Sequence, residues 1–126
     1  MSMNSIGYQA YRKTQIQTAD QGSLILMCYD GAINFLKQAK LAHGNGDFAS
    51  RGIYYTKAQN ILWELTNSLN LEAGEIALTL QSLYNYMIRK ILDAEYHGNM
   101  EATDEVIGHL QDLRESWVRI IKKQTS

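Results

Sequence analysis

Residues 20–47 read DQGSLILMCYDGAINFLKQAKLAHGNGD, and this stretch decides the fold. Asp20 is a good helix N-cap, and Leu24, Cys28, Ala32, Phe35 and Ala39 return at spacings of three and four. At ~100° per residue these five side chains share one helical face. Gly44-Asn45-Gly46 then supplies a stop, because glycine closes a helix in the left-handed conformation at little cost. A helix is therefore predicted from after Asp20 to about His43, ending in a turn too short to do anything but reverse the chain.

The same grammar repeats three more times. A second helix is predicted from after Asp47 to near Asn70, carrying Tyr54, Ala58, Ile61, Leu62, Leu65 and Leu69 on one face. A third runs from about Gly74 to His97, with Ile76, Leu80, Leu83, Tyr84, Met87 and Ile91. The fourth, capped by Asn99, runs from about Met100 to Lys122, with Val106, Leu110, Leu113, Trp117, Ile120 and Ile121. Pieces of roughly 23 residues are about 35 Å long, and connections of a few residues force neighbours to run antiparallel. The expected architecture is all-α, an antiparallel up-and-down four-helix bundle. It forms one domain over 1–126, with an N-terminal arm or short helix at 1–19 and four long helices over 20–123. No strand-like alternation, internal repeat or low-complexity tract competes.

Composition narrows the function classes. The chain has 126 residues, 45% hydrophobic and 20% charged, with a formal net charge of -1. That is enough apolar material for a core and too little unpaired basic charge for a protein that works by neutralising phosphates, so nucleic acid is not the expected partner. The start, Met1 to Tyr8, lacks a basic region followed by an apolar one. No window approaches the ~18 unbroken apolar residues of a membrane span, so neither export nor membrane insertion is expected. The single Cys28 has no internal disulfide partner, in keeping with a reducing, cytoplasmic compartment.

Helical bundles also house metals and haem, and each arrangement makes a demand on sequence. A di-metal bundle needs Glu-x-x-His on two helices, yet the residues three before His43, His97 and His109 are Lys40, Ala94 and Val106. C-x-x-C-H, paired zinc-ligand cysteines and a glycine-rich phosphate loop are likewise not found. Cys28 falls on the core face of its helix, where it reads as a small hydrophobe rather than a nucleophile. The expectation is a protein with no catalytic residues, no cofactor and no metal.

Apolar pattern exceeds what a bundle core needs. In the first helix Ile25, Tyr29, Ile33 and Leu36 form a second stripe beside the first and widen the apolar arc to roughly 200°. In the second, Trp63 points roughly 140° away from the centre of the apolar face, a position suited to anchoring a partner. The arm repeats the theme with Ile6, Tyr8 and Tyr11. Eight of the twelve aromatic residues are Tyr, whose apolar ring and polar tip suit half-buried surfaces. If the arm docks on the groove a partner uses, it shields that groove until displaced.

These residues are similar to those of the FliS family of flagellin-export chaperones. Tyr8-Gln9-Ala10-Tyr11, Thr18-Ala19-Asp20 with Leu24, and Met27-Cys28-Tyr29-Asp30-Gly31-Ala32-Ile33 resemble that family's opening signature. Lys57-Ala58-Gln59-Asn60-Ile61-Leu62 with Leu65, Ser68-Leu69-Asn70, Leu83-Tyr84-Asn85-Tyr86-Met87 and Leu113-Arg114-Glu115-Ser116-Trp117 resemble its later blocks, in order and in register. Two positions depart from the family: Asp20-Gln21 replaces Ser-Pro, and Cys28 stands where Leu is usual. The resemblance implies a cytoplasmic chaperone that binds the C-terminal segment of flagellin, prevents premature polymerisation and delivers it to a gate component of the type III export apparatus. It also implies client contacts at Ile25, Tyr29, Ala32, Ile33, Trp63, Leu69, Leu83, Tyr84 and Met87, some of them shared with the core, and an arm that caps the groove through Ile6, Tyr8 and Tyr11. Asp30 and Gly31 are read as architectural, Gly31 for close helix approach and Asp30 for holding a partner's donor or the arm. Free, the protein is a monomer or a homodimer. The competing reading is a non-catalytic regulatory bundle binding another flagellar protein such as an anti-sigma factor.

Overall fold

A computed structural model of the chain describes residues 21–125. Those residues form four long helices, α1 (Gln21–Gly44), α2 (Phe48–Asn67), α3 (Glu75–His97) and α4 (Met100–Thr125), with a short 3-10 turn at Leu71–Ala73. The expected cap at Asp20 and the arm residues Ile6, Tyr8 and Tyr11 lie outside the described residues.

Each turn has a local cause. After α1, the Asp47 N–H bonds back to the Ala42 carbonyl at 2.9 Å while Gly46 takes a φ of 73°, and the Asp47 carboxylate then accepts the Ser50 N–H to cap α2. Between α3 and α4, Gly98 takes a left-handed φ of 66° and Asn99 accepts the Ala102 N–H. The end of α2 departs from expectation by three residues. Thr66 and Ser68 turn their hydroxyls onto the carbonyls of Leu62 and Leu65, each at 2.8 Å, and Asn70 caps the separate 3-10 turn through the Glu72 N–H. Such side-chain bonds compete with helix continuation. α4 in turn runs three residues past Lys122.

Glycine chemistry gives a paired prediction. A Cβ at Gly98 meets only ordinary contacts, so Gly98→Ala is expected to cost about 1–2 kcal/mol through backbone strain alone. Gly108 lies inside α4 with open space around it, so Gly108→Ala should stabilise by about 0.5–1 kcal/mol. Thermal unfolding of the two variants should move in opposite directions.

The helices pack in a ring, α1 on α2, α2 on α3, α3 on α4 and α4 on α1. Gly31 sets how closely α1 lies on α2: a Cβ there would meet Cδ1 of Ile61 at 3.2 Å. The diagonal pairs meet only through side chains, and each diagonal carries a buried hydroxyl pair. Tyr29 and Tyr84 join α1 to α3 at 2.6 Å, and Tyr55 and Thr103 join α2 to α4 at 2.7 Å.

This ring overturns part of the surface reading. The wide apolar arc of α1 is consumed internally, because α2 covers one flank and α4 the other. Tyr29, Ala32 and Ile33 are buried, and so are Tyr84 and Met87 on α3. They are core side chains, Tyr84 alone among them reaching the lining of the cleft described below. On α2 the deeply buried tyrosine is Tyr55, with Tyr54 half-buried beside it.

Candidate functional site: an apolar cleft at one end of the bundle

The core is complete at the end where α3 turns into α4 and runs out of cover at the other. Ala39, Tyr55, Ala58, Ile91, Ala94 and Val106 are all fully buried. Toward the start of α1 the same stripes open: Leu80, Leu69, Leu113 and Trp117 are only partly buried, and Ile76 is 78% exposed. Apolar surface is thus left open along the helix axis at this end, while Leu41, Phe48, Trp63 and Tyr96 are exposed singly elsewhere.

It forms a cleft of about 480 Å³. Leu24, Ile25 and Cys28 of α1 make one wall and Ile76, Ala77, Leu80 and Tyr84 of α3 the other. Leu65 and Leu69, from the end of α2 and just beyond it, lie between them, and Trp117 of α4 completes the lining. Besides Tyr84 and Trp117, the polar lining residues are Glu64, Ser68 and Asn70, on the α2 side. The local sequence explains the opening. The early end of α2 and Gly74, at φ 115°, set where α3 begins, and Ile76 in its first turn stands largely exposed beside the cleft.

A hydrogen-bonded network lies beside the cleft. The Trp117 indole N–H donates to Tyr29 Oη at 2.8 Å, and Tyr29 Oη lies 2.6 Å from Tyr84 Oη. Burial pushes both phenols above their ordinary range. Next to it, Asp30 pairs with Arg114 and ties α1 to α4 on the outside. That pair is half-exposed and adds little stability, so it serves mainly to fix the Trp117 turn of α4 in place.

Of the nine sequence-predicted contacts, the cleft brings together Ile25, Leu69 and Tyr84. Leu83 packs half-buried against the core. Trp63 is 48% exposed, as its place on the wheel requires, but it stands outside the cleft lining. The lining residues that reading one helix at a time left in the core are Leu24, Leu65, Ile76, Leu80 and Trp117. Their stripe positions were visible, whereas the ending of their cover depends on where neighbouring helices stop.

Among the described residues no group of three His, Cys, Asp or Glu is placed to hold a metal ion, and no helix is long and apolar enough to cross a membrane. An apolar slot with a few polar groups at one edge is suited to receiving apolar side chains of another segment.

Comparison with known proteins points the same way. The family model for the flagellar protein FliS matches residues 3–124. The flagellar secretion chaperone FliS of Salmonella typhimurium is 37% identical over 123 residues, covering 93% of this chain and 91% of that protein. Those of Bacillus subtilis and Campylobacter jejuni are each 32% identical, covering 93% and 97% of this chain and 87% and 96% of their own.

Proposed function

This chain belongs to the FliS family and is a flagellar secretion chaperone, and from that premise we propose that its client is the C-terminal segment of flagellin, held in the cytoplasm by the cleft between α1 and α3. The single observation that carries this reading is the apolar slot that the described residues leave open at one end of the core, with Ile76 exposed at its edge. A segment that packs as amphipathic helices in a filament exposes apolar faces before assembly. Laying those faces into a preformed groove removes them from self-association, the helix-in-groove mode of recognition. The ordering cost of a disordered client is offset by a long wrapped interface. Trp63, exposed on the outer face of α2, is a second anchor for a client that extends beyond the cleft.

The arm has a role in the same scheme. Leu24 and Ile25, near the start of α1, border the cleft, and we propose that the arm acts on it. Ile6, Tyr8 and Tyr11 then shield the apolar lining until the client displaces them. Handover of the client at a gate component of the export apparatus completes the cycle.

Calorimetric titration tests the assignment. Intact flagellin should bind with a negative heat-capacity change and a gain of helicity, and flagellin lacking its C-terminal segment should not bind. Equal binding by both forms would refute the proposed client site.

A further inference from the structure

Glu64 is the one formally charged side chain among the described residues that line the cleft. It stands half-buried on the α2 side, one position before Leu65, in a lining whose α1 and α3 walls are apolar but for Tyr84. The chain around it carries the same sign. From Ala58 to Ile88 the charged residues are Glu64, Glu72 and Glu75, with no Lys, Arg or His, and from Gln21 to Leu36 the one charge is Asp30, which Arg114 already holds. A carboxylate at that place is tolerated while water reaches it. An occupant that fills the cleft removes the water, and a carboxylate shut in among apolar side chains without a cation is costly. None of the described lining residues is Lys or Arg, so the balancing charge has to arrive with the occupant.

We propose that Glu64 is a specificity-determining residue of the cleft, and that the flagellin C-terminal segment binds with a Lys or Arg donating to its carboxylate. The inference rests on the flagellin reading and adds to it what sets direction and register. The hydrophobic effect is non-directional, so apolar walls take an amphipathic helix run either way or slid by a turn. A carboxylate fixed on one wall is met by a basic residue from one flank of such a helix, and every arrangement that leaves it unmet is penalised. A carboxylate accepts at about four lone-pair sites, so Glu64 receives the client's donor beside any contact it keeps within the chain.

The test titrates the full chain, as wild type, Glu64→Gln and Asp112→Asn, with a peptide of the flagellin C-terminal segment and with copies of it in which each Lys or Arg is changed in turn to Gln. Asp112 is an exposed carboxylate of α4 outside the cleft lining. Glu64→Gln keeps the shape of the side chain and should bind the unaltered peptide about 5- to 10-fold more weakly, and Asp112→Asn should bind as wild type does. One of the altered peptides should lose about as much on the wild-type chain yet lose little more on Glu64→Gln, the coupling expected of a direct pair. High ionic strength should narrow the gap between wild type and Glu64→Gln. The peptide series on the wild type decides the matter even if Glu64→Gln does not fold. Indifference of the wild type to every Lys and Arg of the peptide, a Glu64→Gln chain that binds like wild type, or equal weakening of Glu64→Gln and Asp112→Asn overturns the role of Glu64 while leaving the client assignment standing. Failure of the wild type to bind the unaltered peptide overturns both.

Discussion

Truncation of Tyr29 to Ala is expected to bring the bundle close to unfolding, with any loss of client binding following the loss of folded protein. Removing a large buried aromatic side chain costs about 3–5 kcal/mol in lost burial and residual cavity. Here the same change also strands the Trp117 N–H and takes away the Tyr29 partner of the Tyr84 hydroxyl, which adds about 1–3 kcal/mol. Domains of this size are stable by roughly 5–15 kcal/mol, so the variant should have a steeply lowered urea midpoint or no cooperative transition. Tyr29→Phe keeps the packing and loses only the bonds, and should fall between. The sequence pattern had placed Tyr29 on a client-facing stripe, for which the opposite order, weak binding on an intact fold, is required. Urea denaturation beside titration of the same preparations separates the two: an unfolding midpoint near wild type with binding abolished would return Tyr29 to the surface.

Why that residue was misread shows how far a single sequence reaches. The periodicity of each helix reports how much of its circumference is apolar, and on that basis the four elements, their capping residues Asp47 and Asn99 and their antiparallel order were all legible. It does not report how many neighbours a helix has. The roughly 200° arc of α1 reads equally as surplus or as surface covered by a neighbouring helix; in a closed ring every helix has two neighbours, and α1 spends its second stripe on α4. The true surplus arises where stripes outlast their cover along the axis. That depends on Thr66 and Ser68 ending α2 early and on Gly74 setting where α3 begins, and no helical wheel of one segment contains such information. Trp63 was read correctly as exposed because its isolation from the stripe is a property of α2 alone. Asp30 likewise ties the architecture together, though nothing in a single sequence pairs it with Arg114, 84 residues away.

Ile76→Asp should separate binding from folding more sharply than any other single change. Ile76 overhangs the cleft with 78% of its surface exposed, so folding gains little from it, and exposed substitutions of this kind stay within about 0.5 kcal/mol. Its position in the first turn of α3 goes further. The capping residue there is Gly74, which offers no side-chain acceptor, and an added carboxylate near the exposed N–H groups of a helix start is favourable by about 0.3–1 kcal/mol. The variant is therefore expected to unfold at or slightly above the wild-type temperature. Binding should respond in the opposite sense, because an apolar client face laid over the cleft forces the new carboxylate out of water with no cation among the described lining residues to receive it. An unpaired charge so buried costs several kcal/mol, which corresponds to a loss of affinity on the order of 100-fold or more. Ile76→Ala, which only trims apolar contact, should lose far less. The carboxylate also disfavours the arm wherever the arm uses the same lining, so the loss read in the full chain is a lower bound on the contribution of the cleft. Titration of flagellin's C-terminal segment into both variants, with thermal melts of each, gives the comparison; retention of wild-type affinity by Ile76→Asp would mean the client lies elsewhere on the bundle.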